Sequence, residues 1–116
     1  MLDLSLLPSL AAYQDYVAQM EQQRGFADQT VVDKCLLLGE EVGELFKAIR
    51  RVQGLALDPS SAVGEVGDEL ADVFIYLCAI ANRQQVDLGQ AFARKELKNQ
   101  QRQWVVSELS EVDAPA

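Results

Sequence analysis

Between Thr30 and Gly54 apolar residues return every three or four positions, at Val31, Cys35, Leu38, Val42, Leu45, Ile49 and Val52. That 3.6-residue period fits one face of a long amphipathic helix and no strand. Thr30 with Asp33 three residues later is a capping-box pattern at its start, and Gly54 marks its end. Gly39 and Gly43 lie inside, each costing about 1 kcal/mol of helix propensity relative to Ala. Close approach of another helix or of a ligand is one reason to keep them.

Three further segments read the same way. One follows Pro8 and Ser9, carries Leu10, Tyr13, Val17 and Met20 on one face, and stops at Gly25. After the turn-rich stretch Leu57-Asp58-Pro59-Ser60-Ser61, a third helix is predicted from about Ser61 to Val86. Its packing face is Val66, Leu70, Val73, Leu77, Ile80 and Ala81. Asp87 and Gln90 then open a fourth helix, expected through roughly Val106. The apolar face of this last helix is thin (Leu88, Ala91, Phe92) and its second half is polar, as in a cover over a site or an oligomer contact. Trp104 reads as a core anchor or a contact between subunits. Short connections between long amphipathic helices predict an all-α, antiparallel four-helix bundle. The 116 residues suit one domain, expected over residues 1–107, with 108–116 a disordered C-terminal tail.

Charge narrows the partners. The chain carries 18 acids against 10 Lys plus Arg, a net charge of −8, and so repels duplex nucleic acid as a whole. A small anion is still admissible if metal ions and a local basic cluster carry it in. No apolar run reaches the roughly 18 residues of a membrane span, and the start has no basic n-region; a cytoplasmic protein with no membrane partner is expected. Histidine is absent, which removes the commonest general base and zinc ligand. Cys35 and Cys78 lie among apolar residues and read as two buried thiols.

The acids are not spread evenly. Glu41 and Glu44, and again Glu69 and Asp72, are spaced i,i+3 at the border of an apolar stripe. At about 100° per residue, such side chains are neighbours able to share one cation. Glu40 points further outward, while Glu65 and Asp68 extend the stripe of the third helix. Like charges at these spacings cost a few tenths of a kcal/mol per pair, and more beside a partly buried surface. A single acid of this kind reads as solvated surface. Two pairs, on helices that can pack antiparallel, read as an oxygen-only site for a hard divalent cation, Mg²⁺ or Mn²⁺. On the fourth helix Lys95, Lys98, Asn99 and Arg102 form a basic stripe that is either a solvated face or a grip for phosphate oxygens. Tyr76, one turn after Asp72, either stacks on a base or packs.

Glu40-Glu41-Val42-Gly43-Glu44-Leu45, followed by Glu69-Leu70-Ala71-Asp72-Val73, resembles the EExxE…ExxD signature of MazG-like nucleoside triphosphate pyrophosphohydrolases, in the all-α NTP pyrophosphatase superfamily. The likeness runs from about Thr30 to Arg102. It implies that Glu41, Glu44, Glu69 and Asp72 are catalytic residues that bind Mg²⁺ (Mn²⁺ as substitute), with Glu40 as an additional or outer ligand. It also implies that Lys95, Asn99 and Arg102 contact phosphates, that Tyr76 contacts the nucleoside, and that the protein is a homodimer or a homotetramer built from dimers, its sites completed by a neighbouring subunit. The activity implied is hydrolysis of a nucleoside triphosphate between the α and β phosphates, in house-cleaning of the nucleotide pool. Glu41 is a candidate for the base that takes the water's proton. The competing readings are a narrower dCTP, dUTP or phosphoribosyl-ATP pyrophosphohydrolase, and a non-catalytic helical nucleotide-binding or regulatory oligomer.

Overall fold

The computed structural model describes residues 9–102. Trp104, the segment 103–107 and the tail 108–116 lie outside the described residues. The chain is all-helical, with α1 (Leu10–Arg24), α2 (Val31–Val52), α3 (Val66–Arg83) and α4 (Leu88–Gln100), and no strand among the described residues. No described helix is long and apolar enough to cross a membrane.

Local chemistry sets the ends. The Ser9 hydroxyl accepts from the Ala12 N–H, and the Asp87 carboxylate accepts from the Gln90 N–H. Thr30 and Asp33 form the reciprocal capping box read from sequence. Gly25 and Gly54, at φ 78° and 72°, turn the chain out of α1 and α2.

α3 departs from expectation at both ends. It begins at Val66 rather than near Ser61. The Arg51 guanidinium, at the end of α2, takes the carbonyls of Val63 (3.1 Å) and Gly64 (3.0 Å), which a longer helix would have used for itself. It ends at Arg83 rather than Val86, because Gln85 enters the left-handed region at φ 51° and the Val86 N–H closes on the Ala81 carbonyl at 2.9 Å. Likewise α4 stops at Gln100, short of Val106.

α2 and α3 are antiparallel. Arg51 at the end of α2 meets Glu65 at the start of α3, while Gln29, just before α2, accepts from Arg83 at the end of α3. α1 packs on α3, with Val17 and Met20 against Cys78 and Ala79 in the core and Tyr16, Phe74, Ile75 and Leu88 around them. The buried Gln14 side chain fastens α1 to the α3–α4 connection. It donates to the Val86 carbonyl (2.7 Å) and accepts from the Leu88 N–H (2.8 Å). α4 adds no fully buried residue.

Two expectations about burial change. Cys78 is buried, its thiol pushed up to about 11 by burial, but Cys35 is exposed. The expected packing stripe of α3 is only partly right: Ala81 is buried and Val66, Val73 and Ile80 are half-buried, but Leu70 and Leu77 are exposed, and Phe74, Ile75, Cys78 and Ala79 pack against α1. The segment is apolar on two sides, so periodicity selects neither. Ile49 and Val52 on α2 are also exposed, and an added Cβ at Gly39 or Gly43 would meet nothing within 4 Å. The close neighbour those glycines suggested is not within the described chain.

Candidate metal and nucleotide site

The antiparallel pairing of α2 with α3 brings the middle of one against the first turns of the other. Glu41, Glu69 and Asp72 each offer a carboxylate oxygen, and these oxygens all lie within 4.8 Å of one another. Glu41 and Glu69 are half-buried and Asp72 is exposed. Burial, followed by the charges of Asp72 and Glu69, pushes the Glu41 carboxyl above its ordinary value. A carboxyl raised by neighbouring acids in this way is suited to a cation. Ligands on opposite sides of an octahedral Mg²⁺ stand ~4.2 Å apart, twice its ~2.1 Å ligand distance. Carboxylates on flexible stems that already lie within 4.8 Å close that difference by small rotations. The donor set is oxygen only, as a hard divalent ion prefers.

Glu44 is not among the three. Its carboxylate lies 3.3 Å from Lys47 Nζ, one turn along α2. Glu40 is exposed, and Glu65 is engaged by Arg51 at 3.2 Å.

Beside the cluster is a cavity of about 180 Å³, lined by Glu41, Asp72, Tyr76, Phe26, Lys34 and Glu21 among others. Tyr76 therefore shares a wall with two of the acids. The cavity's far side was not anticipated from sequence. Lys34 is 3% exposed, with its ammonium 2.9 Å from Glu21 and over the rings of Phe26 (5.3 Å) and Tyr76 (5.4 Å). Arg83 donates to the other Glu21 oxygen at 2.9 Å. A signal for Lys34 existed: it stands two turns before Glu41, on the same edge of α2. Nothing in the pattern of α1 marks Glu21.

Lys95 and Asn99 stand elsewhere. They line a second, largely apolar cavity of about 740 Å³ with Phe74, Leu77, Ile80 and Phe92. Arg102 follows the end of α4. The basic stripe and the carboxylate cluster thus open onto different cavities of one chain.

Residues 29–107 match the family model of the MazG nucleotide pyrophosphohydrolase domain. Among solved structures, the crystal structure of iMazG from Vibrio DAT 722 is similar, with a TM-score of 0.62 and 30% sequence identity. The match covers 79% of this chain and 94% of that one. No curated protein matches the chain.

Proposed function

Because the chain belongs to the MazG family of nucleotide pyrophosphohydrolases, we propose that it hydrolyses nucleoside triphosphates between the α and β phosphates, releasing a nucleoside monophosphate and pyrophosphate. The observation that carries this reading is the meeting of Glu41, Glu69 and Asp72 across two helices. These three acids would hold the divalent cation, Mg²⁺ with Mn²⁺ as substitute, and Glu44 is near enough in sequence to join by leaving Lys47. When bound, the cation neutralises the triphosphate, polarises the scissile phosphoryl group and makes water a better nucleophile.

The remaining work belongs to side chains. Glu41, which lines the cavity beside Asp72 and Tyr76, is the candidate to take the proton of the attacking water. The cavity edged by Tyr76 and Phe26 would receive the nucleoside, and the packed Lys34–Glu21 pair behind it fixes the position of those rings. Lys95, Asn99 and Arg102 would stabilise charge on the departing pyrophosphate. In one chain Lys95 and Asn99 face another cavity, so this role requires a homodimer or homotetramer in which a neighbouring copy presents its α4. The exposed Leu36, Phe46 and Val52 on α2 and Phe92 on α4 support such an assembly.

House-cleaning of the nucleotide pool is the role this activity suits. The decisive experiment is a pyrophosphate-release screen over standard and damaged nucleotides with Mg²⁺ or Mn²⁺. Turnover of at least one to monophosphate and pyrophosphate is expected. Phosphate plus nucleoside diphosphate as products would contradict the cleavage position, and no turnover across the panel would remove the enzymatic reading. Asp72→Asn and Glu69→Gln should each abolish turnover while circular dichroism shows unchanged helicity.

A further inference from the structure

Gly64 ends the loop that leads into α3, five residues before Glu69. A Cβ placed there would overlap Glu69 Oε2 and lie 3.2 Å from its Cδ and 3.7 Å from its Cγ. The Glu69 carboxylate occupies the space a side chain at position 64 would take. Gly64 does not have the positive φ of Gly25 and Gly54, so backbone conformation is not the reason for glycine at this position. The loop is held: Arg51 donates to the carbonyls of both Val63 and Gly64 and to the Glu65 carboxylate. Gly67, three residues on, has nothing within 4 Å of an added Cβ.

We propose that Gly64 is a positioning residue for Glu69: the absent side chain forms the seat of that carboxylate, and the Arg51 fork holds the seat in place. The proposal rests on the reading of Glu41, Glu69 and Asp72 as the cation site. A methyl group at position 64 meets the free end of a long side chain, which yields easily by turning about its own bonds. The fold is therefore spared, while a cation ligand is turned out of place.

The test is Mn²⁺ affinity of the full chain, followed by electron paramagnetic resonance of free Mn²⁺, without nucleotide. Gly64→Ala should weaken binding by about tenfold or more, the range seen when groups that orient metal ligands are removed. The metal-free melting temperature should stay near that of the wild type. Gly67→Ala should bind Mn²⁺ as the wild type does. In a Glu69→Gln background, Gly64→Ala should cause no further loss, because it acts through Glu69. Arg51→Lys, which lacks the two-nitrogen fork that spans the Val63 and Gly64 carbonyls, should weaken binding in the same direction and carries the test if Gly64→Ala does not fold. Wild-type affinity in both Gly64→Ala and Arg51→Lys overturns the proposal. Equal loss with and without the Glu69 carboxylate also overturns it. A wild-type chain that binds no Mn²⁺ removes the cation-site reading itself, and the proposal with it.

Discussion

Glu21 shows how far one side chain can be from its sequence pattern. Burial raises its carboxyl, but the hydrogen bonds and charges of Arg83 and Lys34 outweigh burial and hold it below its ordinary 4.5. The unfolded chain therefore binds this proton more readily than the folded one. Stability contributed by the group is complete above about pH 4.5 and is lost as pH falls through the folded value. Glu21→Gln should cost about 3–5 kcal/mol at pH 7, since it leaves the Lys34 ammonium buried beside a neutral partner. Urea unfolding across pH should also show a shallower acid loss below 4.5 for the variant than for the wild type; parallel curves would contradict this. The carboxylates on α2 and α3 were legible because i,i+3 spacing at the edge of an apolar stripe is a one-dimensional signal. Glu21, Lys34 and Arg83 come from three segments and acquire meaning only where these cross. Gly64 was silent for the same reason, as an absent side chain has no pattern.

Helix existence was legible throughout, helix ends only where a cap or a glycine announced them. Ser9, Thr30, Asp87, Gly25 and Gly54 each act as their residue types suggest. The end of α3 uses the same turn without glycine: Gln85 sits at φ 51°, with the N–H groups of Gln85 and Val86 on the carbonyls of Asn82 and Ala81. A left-handed conformation costs an ordinary L-residue roughly 1–2 kcal/mol. Gln85→Gly should accordingly stabilise the protein by about 1 kcal/mol, part of the gain being offset by glycine's freedom when unfolded. A raised thermal or urea midpoint is the expected readout, and a lowered one would show that the Gln85 side chain contributes more than its backbone costs. The faces of α3 were only partly legible. Val73, Phe74, Ile75, Leu77, Cys78 and Ile80 supply two apolar sides, and the choice between them was made by the packing of α2 and α1 on α3.

At the scale of the molecule, the described chain leaves large apolar side chains uncovered, among them Phe46, Leu70 and Phe92 at 61%, 52% and 68% exposure. In the proposed assembly, a neighbouring copy would cover that surface and bring its Lys95 to the acids. Complementation tests both. Lys95→Ala and Glu69→Gln should each be inactive alone, while co-expressed chains should recover roughly a quarter of wild-type activity, since half of randomly paired dimers are mixed and each of these holds one intact site. No recovery from chains shown to be mixed would place each site within a single copy. The three clustered acids, by contrast, all fall within one hairpin of adjacent helices joined at Arg51. A divalent cation held there, as proposed, would clamp α2 to α3 within a single copy and so act as a folding aid before any neighbouring copy is met.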